Sequence, residues 1–359
     1  AQGSSTEAVR RGDAMSVDEP FTLLWTLEDG SKGLSRRDVS VSFDISFKRK
    51  SHKHDTFIEE RWEAAQAKNP RIYDGSKFRL GQIACAASDE GVDVSLWLTG
   101  YKEYLGTHTL DEPQWRKLVE EGKREHNDNF AFMSRALGCE ALLMTSDRKV
   151  VLLRRSGAVG THIGLYNGPS GHPEPEKVGL PKRGDEALRL ETSCCQGANI
   201  ADELFDSVLD EIRAELNVPL SSLTAPLLIG CMADARGKPD MLFFVQTTLD
   251  SAGVRTSYSS GAEEGWESDR LVFVPERKLR QCNVKPDFKM TAVTRAAIAC
   301  FLASQHSQAC SPQLRKRPAA VVSPEAKVVP NKKRPSAAVP ISGMHQNPRK
   351  RPAGAKFMR

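Results

Sequence analysis

Between Gly164 and Val218 the chain passes from a glycine- and proline-bearing loop into an amphipathic helix, with carboxylates on both sides of that change. The loop reads Gly-Leu-Tyr-Asn-Gly-Pro-Ser-Gly-His-Pro-Glu-Pro-Glu over residues 164–176 and carries His172 and Glu174. After a polar insertion, Leu204, Phe205, Val208, Leu209, Ile212 and Leu216 recur at helical spacing. At about 100° per residue these six fall within an arc of roughly 140°. Asp206, Asp210 and Arg213 point away from it. Glu211 and Glu215 instead lie about 40° apart at the rim of the apolar stripe, straddling Leu204. Like charges one turn apart cost a few tenths of a kcal/mol unless a cation sits between them. Mg²⁺ suits such a pair, because it takes one or two carboxylates and completes its octahedron with phosphate oxygens and water. A solvated, Glu-rich surface helix is the competing reading of the helix alone.

The loop and helix together resemble the Nudix box, a glycine-bearing loop followed by a helix whose glutamates hold divalent metal for diphosphate hydrolysis. The family helix reads Arg-Glu-U-x-Glu-Glu-x-Gly-U, where U is apolar; here Asp210 through Val218 occupy those places. Glu211 and Glu215 match the first and last glutamates. Asp210 replaces the arginine, Ala214 the middle glutamate and Asn217 the glycine. These departures, with Gly-His-Pro-Glu-Pro at 171–175, the Glu-Leu-Phe run from Glu203 and Pro226 to Gly230, are similar to the UDP-glucose/UDP-galactose pyrophosphatase branch. The similarity includes Tyr73 to Leu80 and Leu98 to Thr107, and covers about residues 21–300.

The resemblance implies a fold in the α/β class: a Nudix-type α/β/α sandwich with a mixed sheet, a smaller N-terminal α+β domain and a disordered basic tail. The implied organisation is a disordered segment 1–20, an N-terminal region 21–127 contributing to the nucleotide site, a Nudix domain 128–309 and a tail 310–359. It implies Glu211 and Glu215 as metal ligands and catalytic carboxylates, with Glu174 as a catalytic helper and substrate contact. Tyr73, Tyr101, Arg155, Gly160, Asn167 and His172 are the implied substrate-binding residues, although the branch has an acidic residue where Asn167 stands. Mg²⁺, with Mn²⁺ as a substitute, is the implied cofactor. The implied reaction splits a UDP-sugar into UMP and sugar 1-phosphate. The alternatives are a Nudix protein that binds a nucleotide diphosphate without cleaving it, and a hydrolase acting on RNA ends.

The residues support parts of this on their own. Hydrolysing a diphosphate requires an activated water and neutralisation of charge on the phosphorus and its leaving oxygen, both of which a divalent cation supplies. An aromatic face such as that of Tyr73 or Tyr101 can stack on a base whatever its hydrogen-bonding edge, though both could equally be core or rim residues. A guanidinium suits a diphosphate through paired hydrogen bonds, and Arg154 competes with Arg155 for that role.

No run of eighteen apolar residues exists, which predicts no membrane partner, and residues 1–19 lack a signal-peptide apolar core. The eight cysteines show no C-x-x-C spacing, which fits reduced thiols in an intracellular compartment. Of the 51 Lys/Arg and 46 Asp/Glu, residues 311–359 hold twelve and one, so the remainder carries a net −6 beneath an overall +5. Within that tail Lys-Arg-Pro recurs every seventeen residues, at 316–318, 333–335 and 350–352. Such prolines forbid a helix, and too few large apolar groups exist to bury. The tail predicts an import receptor or loose nucleic-acid contact as partner, hence a cytoplasmic or nuclear location.

Along the chain, Phe21–Trp25 reads as a strand and Thr56–Lys68 as a helix ending ahead of Asn69-Pro70. Strands are expected over 77–87 and 92–98, and a helix around 112–122. A hairpin is expected from Cys139–Ser146 and Lys149–Arg154, turning at Asp147-Arg148. The insertion at about 177–200 has little periodicity. Strands at 227–233, 241–249 and 271–274 flank a polar, turn-rich stretch at 257–269, and a helix over 291–304 closes the domain.

Overall fold

A computed structural model describes residues 20–27, 31–70, 72–87, 91–159, 161–180, 194–284 and 289–305. The repeat-bearing tail, the first nineteen residues and Gly160 lie outside the described residues. The elements are β1 (Phe21–Thr26), β2 (Val39–Phe43), α1 (Thr56–Lys68), β3 (Ser76–Cys85), β4 (Val92–Gly100), α2 (Tyr101–His108) and α3 (Glu112–His126). There follow β5 (Gly138–Met144), β6 (Lys149–Arg155), β7 (Tyr166–Asn167), β8 (Ser170–Gly171) and α4 (Cys194–Leu216). The chain continues through β9 (Leu227–Asp234), β10 (Pro239–Gln246), α5 (Ser251–Ser259), β11 (Ser268–Pro275), α6 (Leu279–Val284) and α7 (Ala292–Gln305).

The larger sheet has eight strands, with a main path β1-β9-β10-β5-β6-β11. It is mixed: β10 runs parallel to β5, and the other pairs are antiparallel. Alternating side chains of β5 and β6 sort onto its two faces. Cys139, Ala141, Leu143, Val151 and Leu153 bury against Leu204, Phe205, Val208, Ile212 and Leu216 of α4. Leu142, Met144, Val150 and Leu152 bury against Ala296, Ala297, Ile298 and Phe301 of α7. The result is helix, sheet, helix. A second sheet, β2-β4-β3, buries Val39, Phe43, Phe78, Leu80 and Leu96 in the same cluster as α4.

Strands β5 and β6 are the expected hairpin, and Arg148 takes the turn with φ 56. They pair only at Met144 and Val150, then part. Into the gap enters the loop of 164–171, with β7 pairing β6 and β8 pairing β5. This wedge is what brings the loop against α4.

Several expectations need correction. Helix α4 starts at Cys194 rather than near Glu203, so the end of the expected insertion is its first two turns. Gly197, which reads as a breaker, is needed for approach: a Cβ there would fall 2.5 Å from the Val41 carbonyl oxygen of β2. Helix α2 went unread for a similar reason, since Gly106 sits where a Cβ would fall 2.7 Å from Ile58 Cγ1 of α1. The turn-rich stretch contains the end of α5, whose N-cap Asp250 accepts from the Gly253 amide at 2.7 Å. Among the described residues no helix is long and apolar enough to cross a membrane.

Candidate active site

The two glutamates at the rim of α4 face the loop. Glu215 is 4% exposed, and its Oε1 accepts from the Ser170 N–H at 3.0 Å. Glu211 lies against Gly171, where an added Cβ would fall 1.7 Å from its Oε1. Any larger residue there would push the Glu211 carboxylate out of the place it occupies. Two turns back from Glu211 on the helix, buried Glu203 accepts the Glu174 N–H at 2.8 Å. The loop is therefore clamped to the helix at both ends.

The three departures from the family pattern each have a structural counterpart. Asp210 pairs with Lys177 of the loop at 2.7 Å, so a loop–helix ion pair is made here with the helix supplying the acid. Asn217 holds the left-handed conformation at φ 55 just past the helix end, which asparagine tolerates better than most residues. Its N–H donates to Arg213 O at 2.8 Å and its side-chain amide to Ser260 Oγ at 3.0 Å. The Ala214 carbonyl accepts from the Glu264 N–H at 2.9 Å, which ties the 260–267 segment to the helix.

That segment brings in residues the sequence reading missed. Burial, first, holds the Glu211 carboxyl at about 7, and the charges of Glu264 and Glu267 add to the effect. Glu215 is pushed well above the usual carboxylate range, mainly by burial, with Glu211 and Glu267 contributing. Lys77 of β3 bears on Glu211 with the opposite sign. Glu-Glu-Gly-Trp-Glu over 263–267 is visible in the sequence only as polar turn, because nothing local links it to a helix some fifty residues earlier.

His172 projects to the other side. Its ring lies 6.1 Å from that of Tyr104, which stacks on Tyr101 at 6.0 Å and on His108 at 5.4 Å. Burial, with Lys238, Lys77 and Arg155 nearby, holds His172 well below the ordinary imidazole range, so it is neutral at pH 7. Tyr101 is half-buried and close enough to feel Glu267. Arg155 Nε donates to the Thr161 carbonyl at 3.0 Å, and its charge acts on Glu215, Glu267 and His172. Asn167 is buried in the wedge and donates to Ser170 Oγ at 2.9 Å, bracing the residue whose N–H holds Glu215. Tyr73 stands 72% exposed with its ring against Gly75, and no contact among the described residues joins it to the loop–helix pair. Behind the wedge, buried Glu140 accepts from Thr294 Oγ1 at 2.7 Å while its Oε2 has no partner.

Among the described residues no three His, Cys, Asp or Glu side chains enclose a cation by themselves. The donor set nevertheless fits a hard divalent ion. Among the described residues Glu211 and Glu215 have no cationic partner in contact, and water or phosphate would complete the shell, as Mg²⁺ prefers.

No family model matches the chain. Among curated proteins it is 35% identical over 257 residues to uridine diphosphate glucose pyrophosphatase NUDT22 of Mus musculus, covering 69% of this chain and 80% of that protein. The Homo sapiens protein of the same name is 32% identical over 274 residues, covering 74% and 86%. Nudix hydrolase 9 of Arabidopsis thaliana is 33% identical over 250 residues, covering 67% and 78%. Among solved structures, a MutT protein from Methanosarcina mazei Go1 aligns at 15% identity and TM-score 0.27, over 46% of this chain and 91% of that one.

Proposed function

Since the chain belongs to the Nudix hydrolase family, we propose that it hydrolyses UDP-glucose and UDP-galactose to UMP and sugar 1-phosphate with Mg²⁺ as cofactor. The observation that carries this reading is the pair Glu211 and Glu215, half-buried and buried at the rim of α4 and held against the loop, with no counter-ion in contact among the described residues. The names of the 32–35% identical relatives supply the substrate class.

In this reading Glu211 and Glu215 hold the divalent cation, which lowers the pKa of water and offsets charge on the diphosphate. Ser170 N–H fixes one oxygen of Glu215 and so aims the other. Arg155 binds phosphate oxygens, and neutral His172 donates one hydrogen bond to the same group. Water attacks phosphorus as the anhydride P–O bond breaks, with a carboxylate of the box or Glu174 accepting the proton and the leaving phosphate retaining the bridging oxygen. Tyr101 offers the face on which the uracil stacks.

The test is UMP release from UDP-glucose with millimolar Mg²⁺, comparing wild type with Glu215→Gln and using ADP-ribose and capped RNA as comparison substrates. UMP formed by the wild type, and lost in the variant and in EDTA, is the expected result. Saturable UDP-glucose binding without turnover would replace the enzyme with a nucleotide-diphosphate binder. Preference for capped RNA would move the substrate to RNA ends.

A further inference from the structure

The cations around the loop–helix pair divide into two kinds. Lys177 is closed on Asp210 at 2.7 Å, Lys238 on Asp240 at 2.6 Å, and Arg154 on Asp269 at 2.6 Å. Lys77 is different. It stands half-buried on β3, opposite Thr99 of β4, on the sheet that lies outside the loop–helix box. Strand β3 packs against the turn Pro175–Val178 that follows the loop. Glu174, Glu176 and Glu211 all act on the Lys77 ammonium, as does Cys139, yet among the described residues none of these carboxylates forms an ion pair with it. Lys77 also acts on His172. A lysine withdrawn from water without a contact partner loses hydration that nothing in the folded chain restores. A ligand anion between Glu211 and His172 would restore it.

We propose that Lys77 binds the diphosphate of the substrate, its Nζ donating to non-bridging phosphate oxygens opposite the Glu211–Glu215 edge. The inference rests on the nucleotide-diphosphate reading given above and adds to it the contribution of the smaller sheet. An ammonium suits this position because it is a compact charge with three donors, able to follow oxygens that shift during cleavage. With a divalent cation held by Glu211 and Glu215, Lys77 would add a second positive charge beside the diphosphate. The placement also gives the β2-β4-β3 sheet a chemical role, since Lys77 would join Arg155 as a second cation facing the substrate.

The experiment uses the full chain as wild type, Lys77→Met and Lys77→Arg, titrated calorimetrically with UDP and with uridine at fixed Mg²⁺. Melting curves and the Mg²⁺ dependence of UMP release are recorded alongside. A charge-assisted hydrogen bond lost from a bound anion predicts UDP affinity down by about 10–100-fold in Lys77→Met. Uridine affinity should change less than about threefold on the same arithmetic, with part of the UDP affinity kept in Lys77→Arg. The Mg²⁺ requirement should stay the same or fall, since a cation beside Glu211 has been removed. Unchanged UDP affinity overturns the proposal, and so does an equal loss for UDP and uridine, which would mark a purely structural lysine. If Lys77→Met does not fold, Lys77→Gln takes its place against the same outcomes. A wild type that binds UDP but leaves UDP-glucose intact removes the hydrolase reading while the UDP comparison still decides Lys77. A wild type that binds no nucleotide diphosphate overturns both.

Discussion

The two edges of helix α4 carry the same chemistry under opposite conditions. On the outer edge Asp202 and Asp206 share Arg36, at 2.9 and 2.6 Å, and Asp210 meets Lys177 at 2.7 Å. Each acid there is exposed or half-exposed and closed by a long basic side chain. On the inner edge Glu211 and Glu215 are half-buried and buried, and among the described residues no such partner is in contact. Exposed ion pairs of the outer kind contribute about 0–1 kcal/mol, and losing one changes little. Withdrawn carboxylates without a counter-ion cost stability and persist where something other than stability selects them. An acid at the helix surface matters less by its identity than by whether the fold has left it open.

The contrast is sharpened first at its strongest point. Glu215→Gln should lower kcat/KM for UDP-glucose on the order of 10²–10³-fold or more, by analogy with loss of one preorganised electrostatic contact. Melted in EDTA at neutral pH, the same variant should be no less stable than wild type, because a buried carboxyl with a raised pKa has been removed. Gly171→Ala comes next. Its Cβ displaces the end of the Glu211 side chain rather than backbone, so activity should fall up to about 10²-fold with a small change in melting temperature. Gly168→Ala makes the control, since its Cβ would fall 2.2 Å from the Ala141 carbonyl oxygen and should damage folding itself.

A third prediction concerns stability against pH. Burial raises the Glu140 carboxyl from 4.5 to about 8. Below pH 4.5 both folded and unfolded chains hold the proton, and the neutral side chain is fully tolerated. As pH rises from 4.5 to about 8 the unfolded chain releases the proton more readily, and that stability is lost. Glu140→Gln should therefore leave stability near pH 4 unchanged and raise it by up to about 3 kcal/mol at pH 7, as read from denaturant melts. Equal effects at both pH values would show that the fold leaves the Glu140 pKa where the unfolded chain has it. The smallest expected effect is on the outer edge: Arg36→Ala should cost about 1 kcal/mol or less and leave turnover within about twofold.

The helix and its loop were legible because their signal is local. Apolar spacing from Leu204 to Leu216 places Glu211 and Glu215 at the stripe's rim, and the Gly-Pro pattern before them places a loop. The hairpin of β5 and β6 and helix α1 were readable for the same reason. What failed was glycine. Gly197 and Gly106 look like breaks in a helical pattern, yet each allows a helix to pack close to a neighbour whose identity the sequence does not reveal. Lys77, Glu264 and Glu267 were missed for a second reason. Their roles depend on which distant segments fold beside α4, and no spacing rule connects β3 or the 260–267 turn to it.

The clamp between loop and helix carries one more consequence. Ser170 N–H on Glu215 and Glu174 N–H on Glu203 fix the distance across the box through contacts that bypass the chain between residues 180 and 194. The two carboxylates therefore keep their place against the loop through these contacts rather than through the covalent path that joins the two segments.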